Sequence, residues 1–273
     1  MRCTLCPHFC EIAENEVGLC RSRININGRI VDENYGRITS LSLDPIEKKP
    51  LKRFYPGSKI LSIGSYGCNL SCPFCQNYEI SQASKDDIEY KTIMPSEMVN
   101  LAFSYLKKGN IGIAFTYNEP LVSYEYVKDT SKLAKEKGLK TVAVTNGMIN
   151  SGYMEKLAPY IDAFNIDLKA FTQEFYSMCG GYLDTVKSSI RIASRYSHVE
   201  VTSLIIPGHN DSDEEMEKIV LFLSSISSDI PLHITRFFPY FKMKDTEPTK
   251  IDKIYHLTEV ARKYLKYVYP GNI

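Results

Sequence analysis

Three cysteines fall within eight residues in Gly67-Cys68-Asn69-Leu70-Ser71-Cys72-Pro73-Phe74-Cys75-Gln76-Asn77, at the spacing Cys-x3-Cys-x2-Cys. On a loop opened by Gly67 and bent by Pro73, their thiolates can converge on one metal centre without help from distant sequence. Zinc and iron-sulfur sites both use cysteine thiolate, but a closed structural zinc site takes four protein ligands. The stretch offers three, with no histidine beside them. An open coordination position follows, as on the free iron of a 4Fe-4S cluster held by three cysteines.

A second set lies at the N-terminus, where Cys3, Cys6, Cys10 and Cys20 have the spacing Cys-x2-Cys-x3-Cys-x9-Cys. Four thiolates close a tetrahedral site. A segment this short cannot bury enough apolar surface to fold alone, whereas zinc binding releases roughly 10–16 kcal/mol in small peptides and could order it. Zinc is the expected occupant, and a second iron-sulfur cluster acting as an electron relay is the alternative. His8, among these cysteines, reads as a partly exposed loop residue, the alternative being a ligand in place of one cysteine. Seven of the eight cysteines therefore stand in two clusters at ligand spacing, which in a reducing compartment means metal rather than disulfide. The eighth, Cys179 in Ser177-Met178-Cys179-Gly180-Gly181, reads either as a small buried apolar residue or as a hydrogen-atom donor or substrate contact on a loop near the mouth of the fold.

These groups need a scaffold, and 273 residues suit one large domain or two small ones. The apolar fraction of 44% and charged fraction of 24% are those of soluble globular proteins, against disorder and membrane classes. With Lys+Arg at 33, Asp+Glu at 32 and a net charge of +1, no global basic field recruits nucleic acid or acidic lipid. The expected partner is a small molecule or another protein. Residues 1–8 lack the apolar run of a signal peptide and no 18 apolar residues follow one another, so a soluble, cytoplasmic protein is expected.

Asn27-Gly28, between the alternating apolar positions of Ile24 to Val31, predicts a hairpin, and a third strand is expected over 37–43. Prolines then punctuate Asp44-Pro45-Ile46-Glu47-Lys48-Lys49-Pro50. A small cysteine-rich, metal-binding element is expected over 1–55 and a second unit over 56–273. Lys48 and Lys49 read as a solvated face, or, from their closeness to the cysteine loop, as groups near the site. Apolar runs at 59–65, 111–116, 141–145, 163–168, 199–206 and 232–238 alternate with helical stretches near 95–108, 122–137, 150–159, 182–195, 211–225 and 249–266. The expected fold class is α/β, a partial (β/α)6 TIM-like barrel whose functional groups collect at the C-terminal strand ends.

Polar residues do stand at those ends. Strand two runs into Thr116-Tyr117-Asn118-Glu119-Pro120, where Pro120 suits a first helical turn while Glu119 and freed carbonyls face the mouth, as an ammonium ligand requires. Strand three ends in Thr145-Asn146-Gly147. On strand four Asn165, Asp167 and Lys169 share one face, opposite Phe164, Ile166 and Leu168. Buried charges must be paired, so Asp167 and Lys169 read as a structural pair or as part of a site. His233 and Arg236 on strand six read as substrate contacts or as satisfied core groups.

Cys68-x3-Cys72-x-Phe74-Cys75 resembles the signature of the radical S-adenosylmethionine enzymes. With Cys6-Pro7-His8, Asp44 to Leu51, Cys75-Gln76-Asn77, Tyr117 to Pro120, Arg236 to Pro239 and Tyr267 to Asn272, nearly the whole chain is similar to the radical enzyme of the AmmeMemoRadiSam system, a relative of the pyruvate formate-lyase activating enzymes. The resemblance implies a 4Fe-4S cluster on Cys68, Cys72 and Cys75 whose free iron chelates S-adenosylmethionine, and reductive cleavage to a 5'-deoxyadenosyl radical that abstracts hydrogen. It implies cofactor contacts from Phe74, Asn118, Glu119, Asn146, Asp167 and Lys169. Tyr117 and Asn118 replace the glycines of the family's Gly-Gly-Glu-Pro element, and Thr202 stands where the activases have a cofactor-binding arginine. The resemblance further implies an electron donor such as flavodoxin or ferredoxin, and a protein substrate, a glycyl radical enzyme. Val144 and Phe241 depart from the activase pattern, where an aspartate and a histidine are expected, so radical modification of a small metabolite or another protein is the alternative. A non-catalytic zinc-binding interaction protein is the reading from another class. Many relatives continue beyond Tyr267 to Asn272 into a further Cys-x2-Cys, so the four N-terminal cysteines are expected to form a site on their own.

Overall fold

The computed structural model describes residues 1–273. Strands β1 (Arg23–Ile26) and β2 (Arg29–Asp32) form the expected hairpin, with Asn27 at φ 52° and Gly28 at φ 70° in its two-residue turn. Left-handed backbone at both positions is what a type I′ turn demands, and Asn-Gly adopts it at little cost. The strand expected over 37–43 is two elements. β3 (Arg37–Ile38) makes a separate antiparallel pair with residues 91–92, while β4 (Ser40–Pro45) runs antiparallel to β5 (Lys59–Gly64). Thr39 breaks the run, donating its hydroxyl to the Ser65 carbonyl at 2.8 Å. β4 thus enters the main sheet although it precedes the Pro45 to Pro50 punctuation.

Next come α1 (Tyr78–Ser81), β6 (Lys91–Thr92), α2 (Pro95–Ser104), β7 (Asn110–Phe115), α3 (Tyr124–Glu136), β8 (Lys140–Thr145), α4 (Ser151–Leu157) and β9 (Ala163–Asp167). The chain closes with α5 (Gln173–Met178), α6 (Leu183–Ala193), β10 (His198–Ile205), α7 (Asp213–Ser224), β11 (Leu232–Arg236), α8 (Ile251–Arg262) and β12 (Val268–Gly271). The main sheet has the order β4-β5-β7-β8-β9-β10-β11-β12, parallel throughout except for β4. This is the α/β partial barrel the apolar runs predict, with both edges extended by strands they do not show. β12 escapes the apolar reading because Pro270 and Gly271 look like a turn; proline is tolerated there because the strand is at the edge.

Amphipathic helices cover the sheet. On α7, Met216, Ile219, Val220 and Leu223 recur at helical spacing and are buried, and the Ser212 hydroxyl accepts the Glu215 N–H at 3.1 Å as an N-cap. No helix is long and apolar enough to cross a membrane. Inward-facing positions alternate along each strand, so Asn165 and Asp167 share a column, as do Glu200, Thr202 and Leu204, and His233 and Thr235. At the base of these columns Ile46, Leu51 and Phe54 close the barrel against Ile60, Ala114, Val142 and Ala163.

A polar plug completes that base. The Glu200 carboxylate is 0% exposed and accepts the N–H groups of Lys52 (3.0 Å) and Arg53 (2.8 Å), His198 Nε2 (2.9 Å) and His233 Nε2 (2.6 Å). His233 is therefore a satisfied core group and not a mouth residue; Arg236 likewise donates to the Thr249 carbonyl at 2.6 Å. Burial acts to raise the Glu200 pKa, but the two imidazoles and two backbone N–H groups overturn it and hold the value near 2. A folded pKa below the ordinary 4.5 means the stabilisation is complete above about pH 4.5 and is lost as pH falls toward 2. Glu200→Gln leaves donors facing an amide and is expected to remove about 3–5 kcal/mol at pH 7 and to flatten this acid limb. Urea unfolding of both proteins at pH 7 and pH 3 measures it, and equal midpoints at pH 7 would show that the plug is dispensable.

Candidate active site at the cysteine loop

β5 delivers the chain into the loop at Gly67, whose φ is 83°. A Cβ there would meet the Cys20 carbonyl oxygen at 2.4 Å, so both the conformation and the space require glycine. Four long-range bonds then fix the loop. Gly67 N–H donates to Ile80 O (2.9 Å), Ser71 N–H to Cys179 O (2.9 Å), Gln82 Nε2 to Leu70 O (3.1 Å) and Lys242 N–H to Pro73 O (2.9 Å). The partners come from α1, α5 and the 238–243 segment, none of which the cysteine spacing announces.

Cys68, Cys72 and Cys75 line a cleft of about 400 Å³ at the C-terminal end of the sheet. As the side chains stand, no three Cys, His, Asp or Glu groups converge on one point for a metal. What fits a cluster is the donor chemistry around each sulfur. Cys68 Sγ accepts the Leu70 N–H at 3.3 Å and Asn146 Nδ2 at 3.6 Å, and the Asn77 N–H acts on Cys75. An N–H two residues on, aimed at sulfur, stabilises a thiolate and not a thiol. Burial nevertheless pushes the Cys68 and Cys75 thiols up, the Glu119 carboxyl adding to it at Cys68. Cys72 is held below its usual value, first by the Cys179 thiol beside it and then, burial opposing, by Lys169.

Every expected cofactor residue reaches this cleft: Phe74 from the loop, Asn118 and Glu119 after β7, Asn146 after β8, Asp167 and Lys169 at the end of β9, and Thr202 from β10. Lys169 Nζ lies 2.9 Å from Asp167 Oδ2 and 5.9 Å from the Phe74 ring centre. Burial disfavours its charge, but Asp167 and Cys72 outweigh burial and hold its pKa well above the usual. Glu119 Oε1 accepts Leu121 N–H (3.0 Å) and Thr145 Oγ1 (2.6 Å), and Oε2 accepts Asn146 N–H (2.7 Å). Burial still pushes this carboxyl up to about 7, so a cation arriving in the cleft would find a group ready to ionise.

Asn118 accepts the Ser65 N–H (3.0 Å) and donates to the carbonyls of Tyr66 (2.9 Å) and Gly67 (3.0 Å). Thr202 donates to Asn165 Oδ1 at 3.0 Å. Cys179 is fully buried and does not line the cleft; it lies behind the loop against Cys72. Lys49, read as a solvated face, is 3% exposed and paired with Asp44 at 2.9 Å, whereas Lys48 lines the cleft. Thr235 and Asn272 also line it. The inward alternation from His233 could have found Thr235, but Asn272 depends on the unrecognised β12.

At the N-terminus, Cys3, Cys6, Cys10 and Cys20 line one small cavity, of about 10 Å³, together with Arg23 and Asn69. Burial raises the Cys6 thiol to about 12 and raises Cys20. Backbone N–H groups of His8 on Cys6, and of Ser22 and Arg23 on Cys20, repeat the pattern of the main loop. The Arg23 guanidinium is paired with Glu125, yet its Nε is buried without a partner. Such a donor fits beside an anionic thiolate centre and is otherwise unexplained.

Residues 62–223 match the Radical SAM superfamily. An uncharacterized protein of Methanocaldococcus jannaschii is 40% identical over 276 residues, covering 100% of this chain and 81% of the relative. The pyruvate formate-lyase-activating enzyme of Clostridium pasteurianum is 24% identical over 202 residues, 71% of this chain and 80% of that one. Among solved structures, a radical SAM methyltransferase from Sphaerobacter thermophilus shares the fold with a TM-score of 0.58 at 16% identity, covering 80% of this chain and 67% of that chain. Since the match spans more than half of the chain and contains the three-cysteine loop with its cleft, this protein belongs to the radical SAM superfamily, whose members use a 4Fe-4S cluster and S-adenosylmethionine.

Proposed function

We propose that this radical SAM enzyme activates a partner glycyl radical enzyme by abstracting a backbone glycine hydrogen, with Cys68, Cys72 and Cys75 holding the cluster. The observation that carries the reading is the Asp167–Lys169 pair lining the cleft with the three cysteines, in the Asp-Leu-Lys form that resembles the activases. Cys68, Cys72 and Cys75 would hold the 4Fe-4S cluster, which when reduced would supply the electron for reductive cleavage of S-adenosylmethionine. The residues of this chain bind and orient. Glu119 and Asp167 are the anionic groups that match an ammonium and a sulfonium, and Lys169 is the cation that matches a carboxylate. Phe74, Val144 and Leu204 present apolar surface that excludes water. The cleft opens to solvent, which suits a peptide segment of a protein substrate, and a flavodoxin- or ferredoxin-type donor in the cytoplasm would supply the electron. Phe241, where the activases have histidine, stacks on Tyr78 at 4.4 Å and takes no part in the cleft.

At the N-terminal cysteines the proposed occupant is zinc. Four cysteine thiolates lining one small cavity are the donor set of a closed tetrahedral zinc site, and this supports a single ion over a second 4Fe-4S cluster.

Anaerobic reconstitution with iron and sulfide, reduction and addition of S-adenosylmethionine are expected to yield 5'-deoxyadenosine with the intact protein and none with Cys72→Ala. Asp167→Asn and Glu119→Gln are each expected to weaken S-adenosylmethionine binding about 10- to 100-fold, the loss of one charge-assisted hydrogen bond of roughly 1.5–3 kcal/mol. Equilibrium dialysis measures that loss, and unchanged affinity in both would remove these residues from the cofactor site. Mixing the loaded enzyme with glycyl radical enzymes of its own host is expected to give a glycyl doublet in the EPR spectrum. Deoxyadenosine without that doublet from any of them would move the reading to a metabolite or to another protein.

A further inference from the structure

The two cysteine sets meet at the first ligand of the loop. On one side of Cys68, Gly67 passes so close to Cys20 that a Cβ would stand 2.4 Å from the Cys20 carbonyl oxygen. On the other side, the Asn69 carbonyl accepts from His8 Nε2 at 2.7 Å. The Asn69 side chain lines the cavity of the four N-terminal cysteines, donates to Met148 O at 2.6 Å and accepts Asn146 Nδ2 at 3.0 Å. That same Asn146 amide nitrogen lies 3.6 Å from Cys68 Sγ. His8 itself stands between Cys6 and Cys10 and lines the same cavity as the four cysteines. One residue therefore belongs to the N-terminal sulfur site and bonds the cluster loop through its ring.

We propose that His8 is a positioning residue that couples the two centres: metal at Cys3, Cys6, Cys10 and Cys20 fixes the 6–10 turn, and His8 carries that order to the Gly67–Asn69 turn and so to Cys68. The proposal rests on the reading of the N-terminal cysteines as a zinc site. The physical basis is length and burial. Residues 1–22 contain no helix or strand; two isolated antiparallel bridges, Arg2 with Glu11 and Val17 with Ile24, hold them together with bonds such as Cys3 N–H to Cys10 O (2.9 Å) and the turn bond Phe9 N–H to Cys6 O (3.2 Å). A segment with so few regular bonds takes its order from a metal, and any group bonded to it inherits that order. Coupling of this kind is reciprocal, so the loaded cluster loop also steadies the N-terminal site.

The test compares the wild-type holoenzyme with His8→Ala, His8→Gln and Cys10→Ser, the last removing the most exposed of the four ligands. For each, zinc and iron per chain are counted, the EPR spectrum of the reduced cluster is recorded, and iron release to a ferrous chelator is timed. Cys10→Ser is expected to lose zinc and to release iron faster, by about 5- to 150-fold where the affinity coupling typical of linked sites falls on the release step. His8→Ala is expected to keep its zinc and its thermal melt yet to release iron at a similarly raised rate with an altered EPR line shape. His8→Gln, whose amide can donate to the Asn69 carbonyl, is expected to restore both. Iron release at the wild-type rate in His8→Ala overturns the link, whatever metal is found. A wild-type protein without zinc overturns the zinc reading and the metal's part in the link, while the His8→Ala and His8→Gln pair still decides the contact between His8 and the loop.

Discussion

Parallel strands that end together leave backbone groups that no neighbour can pair, and the amide of Asn118 is where this chain resolves that constraint. It takes the Ser65 N–H and gives to the Tyr66 and Gly67 carbonyls, so the end of β7 is welded to the exit of β5 just before the first loop cysteine. Glu119 does the same toward β8, through Thr145 and Asn146, and Asn146 passes the connection on to Asn69 and Cys68. Unpaired buried polar groups cost about 1–3 kcal/mol each, so these side chains are needed for folding whether or not a cofactor is present. The cleft beside the three cysteines is lined by groups the fold already has to place.

Two charged sites on neighbouring inward columns show how the structure separates support from function. Glu200, at the base, has four donors on its two oxygens and no exposure, so nothing remains for a ligand. Asp167, the last residue of β9, has one protein partner, Lys169, and is 35% exposed. Lys169 in turn uses its ammonium only for Asp167. A carboxylate can accept about four hydrogen bonds and an ammonium can donate three. The unused capacity at Asp167 and Lys169 faces the cleft, and the used capacity at Glu200 faces the core.

That distinction also explains what the sequence discloses. Apolar runs mark the six central strands because both of their faces are buried, and polar residues at the ends of those runs mark the cleft beside the three cysteines. Glu119, Asp167 and Lys169 were legible for this reason, since they stand at the ends of apolar strands, whereas Asn118, Asn146 and Thr202 were singled out only by the family resemblance. Contacts made across the fold were not. Lys48-Lys49 is a charge pair in sequence, and only the approach of Asp44 and Tyr117 buries Lys49 while Lys48 stays at the cleft. Cys179 is the small buried residue that was one of its two readings, but its carbonyl's bond to Ser71 depends on α5, a six-residue helix too short to show a periodicity. His8 shows no pattern at all; its role rests on one carbonyl 61 residues away.

The departure at Tyr117 shows the same logic acting on strain. The family element it resembles has glycine there, and Tyr117 keeps a glycine-like backbone, with φ at 73°. A bulky residue in the left-handed region costs roughly 1–3 kcal/mol, so something must hold it. Its hydroxyl donates to Asp44 at 2.7 Å, its ring lies 4.6 Å beneath the Lys49 ammonium, and its carbonyl accepts Asn77 Nδ2 at 2.7 Å. Gly64 makes the room: a Cβ there would stand 2.8 Å from the Tyr117 ring. The tyrosine thereby ties β4, through Asp44, to the far end of the cysteine loop, through Asn77. A glycine could supply the backbone shape but neither the hydroxyl nor the ring. In this chain the residue that departs from the pattern fastens the antiparallel edge of the sheet to the cleft, which makes Gly64, Asp44, Lys49 and Tyr117 a single unit whose members are expected to change together.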